Sequence, residues 1–195
     1  MTQNPYAYQQ PFAVLENVFN PAELDAIVTL GDGLPLETAG VVYDRNNTQT
    51  VPDSDLRITR IAWMVRAPDS EWIYDRIQRA AQALNQDIYR FELAGFSEFF
   101  QYTVYHASEG GYFDWHVDQI PSGAHRKLSF SLQLSDPADY EGCDLELHGG
   151  KVSLPAPRTR GALIAFPSYT LHRVTPITAG IRESLVMWCS GPRFR

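Results

Sequence analysis

The chain has 195 residues, of which 44% are hydrophobic, and it carries a formal net charge of −7 with a pI near 5.1. This length suits one domain with a sizeable core, so we expect residues 1–195 to form a single domain. The acidic balance argues against a nucleic-acid partner, because proteins that bind the phosphate backbone usually present a basic face.

The chain also lacks the sequence signals of secretion and of membrane insertion. Its first residues, MTQNPYAYQQPF, contain no basic segment followed by an apolar one, and no apolar run approaches the roughly 20 residues that span a bilayer. The two cysteines, Cys143 and Cys189, are too few for a disulfide framework and match no zinc motif. We therefore expect a soluble cytoplasmic protein with reduced thiols and no membrane partner.

The N-terminal half predicts two strands and two helices. A short strand is expected at FAVLENVF (12–19). A helix follows from Asn20, which can cap it, with Pro21 in the first turn. RITRIAWMV (57–65) is expected to form one strand. The segment 69–89 predicts a long amphipathic helix, because its apolar residues recur at helical spacing.

Residues 43–56, YDRNNTQTVPDSDL, are almost wholly polar. This composition is typical of a surface loop. Because long loops in compact domains are often functional, the segment can also act as a mobile lid over a site. The sequence alone leaves both interpretations open.

After residue 95 the pattern changes to short strands separated by turns. KLSFSLQLS (127–135) alternates strictly, with leucine or phenylalanine at every second position and serine or glutamine between them. About eight strands without intervening helices predict a sandwich, a barrel or a jelly roll. We expect a mainly β protein with flanking helices, in which residues 1–95 support a β core at 96–195.

The segment WHVD (115–118) places His116 and Asp118 two residues apart. On a strand both side chains point to the same face, so they can hold a metal together or form a surface ion pair. A metal needs a third ligand, and His172 can supply it, because a jelly roll brings late strands beside early ones. The remaining histidines have no distinctive context and are expected on loops or strand ends: His106, His125 and His148.

Two histidines and one carboxylate make the facial triad of non-haem Fe(II) oxygenases. The triad leaves three coordination positions open, which a keto acid and dioxygen require. A structural zinc site would instead close its coordination, usually with thiolates. Arg182, ten residues after His172 on the next predicted strand, can bind the distal carboxylate of a keto acid in bidentate fashion. Its alternative is a surface arginine or a partner of Glu183.

Three segments together resemble the prolyl 4-hydroxylase-like branch of the Fe(II)/2-oxoglutarate dioxygenases: YHASEGGYFDWHVD, RKLSFSLQLSDPADYEGCDLEL and GALIAFPSYTLHRVTPITAGIRES. The resemblance covers roughly residues 98–192, and residues 12–95 fit it only in their layout of strands and helices. It implies a double-stranded β-helix (jelly roll) that uses Fe(II), 2-oxoglutarate and dioxygen. The implied reaction hydroxylates a prolyl-type residue or a small amino-acid-like molecule, with succinate and CO2 as co-products.

The resemblance also implies roles for individual residues. His116, Asp118 and His172 would bind the iron, and Arg182 would hold the C5 carboxylate of 2-oxoglutarate. Tyr105 matches the family's tyrosine before the HxD segment, whose hydroxyl helps to bind that carboxylate. Its alternative is a core aromatic residue.

Other positions extend this pattern or depart from it. Ser184 shares a strand face with the predicted carboxylate ligand and can assist it, whereas Trp188 on that face is expected to pack. Cys143 stands where the family often has a second glycine, so the turn there is expected to change. Arg57 or Arg60 can face the substrate pocket, or either can be an exposed strand residue.

Three alternatives make different predictions. A cupin-like module that binds a metal or a small ligand would need neither Arg182 nor 2-oxoglutarate. Another metal enzyme on this architecture would usually use several histidines from one hairpin, and the chain lacks that cluster. A structural protein would use His116 and Asp118 as an ion pair. The oxygenase interpretation predicts a small-molecule or peptidyl substrate, and the sequence does not set the oligomeric state.

Overall fold

The computed structural model describes residues 11–41, 53–119 and 125–193. These residues form two α-helices, α1 (Pro21–Asp32) and α2 (Glu71–Leu84). Fourteen strands accompany them: β1 (Ala13–Leu15), β2 (Glu37–Thr38), β3 (Arg57–Ile58), β4 (Arg60–Met64), β5 (Gly95–Phe96), β6 (Phe100–His106), β7 (Tyr112–His116), β8 (Arg126–Gln133), β9 (Tyr140–Gly142), β10 (Leu145–His148), β11 (Ser153–Pro155), β12 (Leu163–Pro167), β13 (His172–Val174) and β14 (Ile177–Ser190).

The strands form two antiparallel sheets. The larger sheet has the order β1-β12-β8-β14-β6-β4-β2, with β5 and β9 each pairing with β14. The smaller sheet has the order β11-β10-β13-β7-β3. Strands from the first 95 residues join both sheets, so this region contributes to the sheets as well as the helices. Together the two sheets make the jelly roll that the resemblance implied.

The helices and the two sheets pack as three layers. One core lies between the helices and the larger sheet, where Ile27 of α1 and Ile73 of α2 contact sheet residues such as Phe130. A second core lies between the two sheets and includes Leu147 and Ile164. The larger sheet is therefore covered on both faces, and its second face looks into the interior.

This layering explains the alternating sequence of β8. Leu128 and Phe130 point toward the helices and are fully buried. Ser129 and Ser131 point the other way, yet they are only 0% and 6% exposed. An alternating strand commonly places its polar face in water, but here that face looks into the space between the sheets. Buried polar groups are costly unless they are hydrogen-bonded, so this face marks a candidate site.

The single strand predicted at 57–65 is wrong, because the segment forms two strands in different sheets. β3 pairs with β7 in the smaller sheet, and β4 pairs with β6 in the larger one. Between them Thr59 is buried, and its hydroxyl donates to a backbone carbonyl of β6 at 2.9 Å. The crossing turns Arg57 into the interior and leaves Arg60 outside, where it pairs with Glu109 at 2.7 Å.

Two other N-terminal predictions need adjustment. The strand expected at 12–19 is shorter, because Asn17 adopts a left-handed φ of 60° after β1 ends. Residues 43–52 of the predicted loop lie outside the described residues, whereas 53–56 form a turn before β3. The lid therefore stays a prediction.

The predicted helices are confirmed. α1 begins with a capping box, in which Glu23 N–H donates to Asn20 Oδ1 at 2.9 Å and Asn20 N–H donates to the Glu23 carboxylate at 2.8 Å. α2 continues directly into a π-helical segment, Asn85–Tyr89. Together the two segments span residues 71–89, close to the predicted range of 69–89. Within the described parts of the chain, neither helix is long and apolar enough to cross a bilayer.

Loss of the α1 cap should have a modest cost. Asn20→Ala is expected to lower the free energy of unfolding by about 1 kcal/mol, because the backbone N–H of Glu23 loses its side-chain acceptor. Urea denaturation measures this change. Asn20→Asp keeps a capping oxygen and should retain most of the stability, so equal losses in the two variants would contradict the role of the cap.

The turn after β9 uses two left-handed residues in succession. Gly142 has φ 70° and Cys143 has φ 56°. A side chain at 142 would collide with the carbonyl oxygen of Pro176, so glycine is required there. Cys143 adopts a conformation that favours glycine, and its side chain is fully buried in the core between the sheets. Burial raises the pKa of its thiol, which keeps the sulfur protonated.

Candidate active site

Two neighbouring strands of the smaller sheet bring the predicted metal ligands together. His116, the last residue of β7, lies opposite His172, the first residue of β13. Asp118 lies two residues beyond β7, rather than on the strand that the alternation argument assumed. Its backbone N–H donates to the carbonyl of Ser168 at 2.9 Å, which holds it beside the start of β13. One candidate ligand atom from each of the three residues lies within 4.8 Å of the others.

The same kind of backbone contact orients both imidazole rings. Nδ1 of His116 lies 2.7 Å from the carbonyl of Asp114, and Nδ1 of His172 lies 2.8 Å from the carbonyl of Thr170. Because a carbonyl can only accept, Nδ1 carries the proton in each neutral ring. Nε2 of each ring then carries a lone pair. Nε2 of His116 lies 3.9 Å from Oδ1 of Asp118, and Nε2 of His172 lies 3.5 Å from Oδ2. The sequence predicts that such partners exist but cannot identify them.

Hydrogen bonds and nearby charges keep Asp118 ionised. The Ser129 hydroxyl donates to Oδ2 of Asp118 at 2.6 Å, and its oxygen lies 3.0 Å from the Ser168 hydroxyl, which can donate to it in turn. Burial raises the pKa of Asp118, but interactions with the imidazoles of His172 and His116, the charge of Arg126 and the Ser129 hydrogen bond outweigh it and lower the pKa to about 2. The carboxylate is therefore ionised at neutral pH and suited to a cation.

The metal-free protein is expected to lose stability in mild acid. Burial and repulsion from His172 lower the pKa of His116 from 6.5 to about 3. Because the unfolded chain binds this proton more readily, the free energy of unfolding falls as the pH drops below 6.5 and levels off near 3. The expected loss at pH 5 relative to pH 7 is about 2 kcal/mol.

Urea denaturation at the two pH values measures this loss. It should shrink in His116→Gln and persist in His148→Gln, which changes an exposed histidine at the end of β10. The same pH dependence in both variants would contradict the assignment of the loss to His116.

A cavity of about 290 Å³ lies between the sheets and is lined by all three candidate ligands. Arg182 of β14 also lines it and is 2% exposed. One terminal nitrogen donates to Gln133 Oε1 at 2.8 Å, and the guanidinium lies 5.7 Å from the ring centre of Tyr105. Nε of Arg182 is buried without a hydrogen-bond partner. Among the described residues, this arginine forms no ion pair, so the cavity holds a positive charge with a free donor.

Tyr105 and Ser184 line the same cavity and are 3% and 1% exposed. Tyr105 lies directly across from Arg182 in the β6–β14 register. Burial raises the pKa of its hydroxyl, although the charges of Arg57 and Arg182 oppose this. The hydroxyl therefore keeps its proton at neutral pH and can donate a hydrogen bond.

A model of the 2OG-Fe(II) oxygenase superfamily matches residues 100–190, the stretch that holds the triad, Tyr105 and Arg182. The match covers just under half of this chain. The description of this superfamily names the predicted Fe(II) and 2-oxoglutarate, so the match supports both groups.

The proteins similar to this chain include some that are named as hydroxylases. A PKHD-type hydroxylase of Synechococcus sp. (strain CC9311) is 44% identical over 81 residues, which cover 41% of this chain and 36% of the relative. The match thus spans little more than a third of that relative. A Pseudomonas putida prolyl-4-hydroxylase has a TM-score of 0.70 at 21% identity, with 95% of each chain covered.

A second solved structure is a prolyl hydroxylase in complex with a hypoxia inducible factor oxygen degradation domain peptide fragment from Trichoplax adhaerens. It has a TM-score of 0.73 at 16% identity, covering 92% of this chain and 83% of that one. These two structural likenesses confirm the predicted jelly roll. The family model and the PKHD-type relative support the resemblance to the prolyl 4-hydroxylase-like branch.

The residues of this cavity fit Fe(II) and 2-oxoglutarate, the groups named in the description of the matching superfamily. Two imidazole nitrogens and one ionised carboxylate are the donor set of non-haem Fe(II) sites with open positions. A buried guanidinium without an ion-pair partner is costly unless an anion accompanies it. A dicarboxylic keto acid supplies that anion at Arg182. The cavity therefore meets the needs of the metal and of the co-substrate together.

Trp188 and the arginines of the RITR segment show the limits of the sequence predictions. Trp188 packs as expected, against Trp63 and Arg126, but it also lines the cavity, where its buried Nε1 has no hydrogen-bond partner among the described residues. Arg57 lines the cavity and Arg60 does not. The other histidines do lie at strand ends or on a loop, as expected.

Three residues of the site escaped the sequence analysis: Ser129, Gln133 and Arg126. The first two lie on the polar face of β8, whose strict alternation was a usable signal had that face been assigned to the interior. Arg126 gives no such signal. Its guanidinium lies 3.6 Å from the ring centre of Trp188 and forms an ion pair with Glu98, and neither contact can be deduced from local sequence.

Proposed function

We propose that the protein is an Fe(II)- and 2-oxoglutarate-dependent oxygenase that hydroxylates a prolyl-type residue or a small amino-acid-like molecule. The observation that carries the proposal is the convergence of His116, Asp118 and His172 with the unpaired, buried Arg182 in one cavity. A cupin-like module that merely binds a metal would need the three ligands but would not need a buried arginine beside them.

Each residue has a separate task in this proposal. His116 and His172 bind the metal through Nε2, and Asp118 binds it through its carboxylate. Arg182 binds the C5 carboxylate of 2-oxoglutarate, for which its free Nε is an available donor. Tyr105 donates its hydroxyl hydrogen to the same carboxylate.

When bound, Fe(II) and 2-oxoglutarate supply the oxidising chemistry, in which the keto acid becomes succinate and CO2 and one oxygen atom of O2 enters a C–H bond. The protein holds the metal and the co-substrate in place and excludes water from the site. Three protein ligands leave three positions of an octahedral metal open. The carbonyls of Asp114 and Thr170 fix the two imidazoles, and Ser129 fixes Asp118. Apolar wall residues such as Val186 restrict water.

A peptidyl or amino-acid substrate is supported from two directions. The similar proteins are named as PKHD-type and prolyl hydroxylases, and one was solved with a peptide fragment. In this chain Trp63 and Trp188 line the cavity with ring centres 6.5 Å apart, and Trp63 is 38% exposed. Aromatic-lined grooves bind proline-rich segments in other proteins, because such segments already adopt the extended polyproline II helix and lose little entropy on binding.

The proposal is tested without a substrate. Anaerobic, metal-free protein is titrated with Fe(II) and then with 2-oxoglutarate, and the absorbance is followed for the weak visible charge-transfer band of a chelated keto acid. We expect the band with 2-oxoglutarate and no band with succinate, which lacks the keto group. Iron binding without a band would replace the oxygenase with a metal-binding module.

Removal of the Ser129 hydroxyl should weaken metal binding without removing a ligand. Ser129→Ala is expected to lower the affinity for Fe(II) about tenfold, because partners that orient a ligand carboxylate usually contribute that much. Competition with a chromophoric chelator under anaerobic conditions measures the affinity. Ser131→Ala removes a hydroxyl from the same strand face away from Asp118, and an equal loss there would contradict the role of Ser129.

We also infer a cytoplasmic location and no nucleic-acid partner. The acidic net charge of −7 supports the second inference. Cys143 and Cys189 are both buried and unpaired, which is compatible with a reducing compartment.

A further inference from the structure

A second arginine in the cavity has no ion-pair partner within residues 11–41, 53–119 and 125–193. Arg57 of β3 donates from a terminal nitrogen to Gln101 Oε1 at 2.9 Å, and its guanidinium lies 4.6 Å from the ring centre of Phe113. Its Nε is buried without a hydrogen-bond partner. The same three features describe Arg182: a glutamine oxygen, an aromatic ring and a free Nε. Two sites in one cavity are therefore built in the same way.

The charges that line the cavity do not balance with iron and 2-oxoglutarate alone. Asp118 and one carboxylate of the keto acid offset the two charges of Fe(II), and the second carboxylate offsets Arg182. Arg126 already has an ion-pair partner. Glu37 is an exposed lining residue and pairs with no arginine in the described part of the chain. Among the residues that the structure describes, none compensates the charge of Arg57, and such a charge is costly in a partly desolvated position.

The position of Arg57 suits a substrate better than the keto acid's distal end. Phe113, which Arg57 covers, stacks on the ring of His116 with centres 3.4 Å apart, so the arginine stands close to the candidate metal ligands. Arg57 is also half-buried, whereas Arg182 is almost fully buried. The more accessible of the two arginines therefore stands beside the metal site, where the oxidised carbon must lie.

A second unused donor lines the same cavity. Nε1 of Trp188 is buried without a partner, and its ring is held by the guanidinium of Arg126. A ligand with several acceptor oxygens suits a wall that offers both this indole N–H and a guanidinium.

We propose that Arg57 binds a carboxylate of the substrate, so that this enzyme selects anionic substrates over their neutral analogues. The inference rests on the proposed function, because it assigns 2-oxoglutarate to Arg182. The carboxylate can be that of a free amino acid or that of an acidic side chain next to the oxidised residue in a peptide. A planar guanidinium recognises either in the same bidentate manner.

The test compares acids with their amides as binding probes. The first pair is L-proline and L-prolinamide, and the second is acetyl-Ala-Pro-Glu-amide and acetyl-Ala-Pro-Gln-amide. Each is titrated into anaerobic protein that carries Fe(II) and 2-oxoglutarate, and binding is followed by tryptophan fluorescence, because Trp63 and Trp188 line the cavity. We expect the acid of at least one pair to bind about 30-fold more tightly than its amide. The pair that discriminates identifies the source of the carboxylate.

Variants assign the preference to one side chain. Arg57→Gln should abolish the preference for the acid, and Arg57→Lys, which keeps the charge and a similar length, should retain part of it. Arg60→Gln is the matched control, because it removes an exposed arginine three residues away that contacts Glu109 outside the cavity. It should leave the preference unchanged.

Three results would overturn the proposal: no preference for the acid in either pair, an acid preference that survives Arg57→Gln, or a loss in Arg57→Gln of 2-oxoglutarate affinity alone. The last would assign Arg57 to the keto acid instead. The charge-transfer band separates this failure from failure of the proposed function, since Arg57→Gln should form the band as wild type does. Without a band in wild type, the fluorescence titrations still decide the carboxylate preference.

Discussion

Arg182→Met is expected to lower the affinity for 2-oxoglutarate about 100-fold or more while leaving the metal-free protein at least as stable. Truncating one partner of a desolvated, hydrogen-bonded charge pair costs about 2–5 kcal/mol of binding free energy. The free energy of unfolding of the metal-free variant should instead stay the same or rise. Arg182 is 2% exposed and has no ion-pair partner among the described residues. Without the keto acid, its buried charge therefore lowers the free energy of unfolding.

Two measurements separate these effects. Titration of the charge-transfer band gives the affinity for 2-oxoglutarate, and urea denaturation of metal-free protein gives the free energy of unfolding. Arg173→Met is the matched control, because Arg173 pairs with Glu146 on β10 and does not line the cavity. A large loss of stability in Arg182→Met with unchanged affinity would make Arg182 a structural residue.

Much of the fold was predictable because its signals are local. The capping box of α1, the amphipathic pattern of α2 and the alternation in β8 each lie within one segment of sequence. Thr59 shows where this logic ends. Nothing in RITRIAWMV breaks a strand, and only the pairing of its two halves with β7 and β6 divides it between sheets.

The crossing at Thr59 also explains why the sequence left Arg57 and Arg60 undecided. Alternation along one strand would place positions 57 and 59 on one face and position 60 on the other, but the change of sheet resets the pattern. Which arginine faces the cavity depends on β3 joining the smaller sheet. That information resides in the partner strands and not in the segment itself.

The candidate site divides in the same way. The members of the triad and Arg182 could be named from spacing and resemblance, since an HxD pair and a histidine ten residues before an arginine are visible in the sequence. The contacts that orient them could not. Ser129, on a strand of the larger sheet, donates a hydrogen bond to Asp118, which follows a strand of the smaller sheet. The guanidinium of Arg126 packs over the ring of Trp188 and pairs with Glu98.

Loss of one imidazole should remove the metal site altogether. His172→Ala is expected to weaken Fe(II) binding more than about 100-fold, since even outer partners of ligands contribute 10- to 100-fold, and to abolish the charge-transfer band. His148→Ala is the control. It removes an exposed histidine that packs edge-on against Trp115 outside the candidate site. Unchanged iron affinity in His172→Ala would contradict the triad.

The same substitution has an effect that needs no metal. Repulsion from His172 is one cause of the depressed pKa of His116, second to burial. Removing His172 should therefore raise the pKa of His116 in metal-free protein, while His148→Ala should leave it unchanged. Titration of the His116 ring signals by NMR measures this shift. A raised pKa together with lost iron affinity would mean that the two rings face one another across a shared site, because repulsion and joint coordination both require their Nε2 atoms to converge.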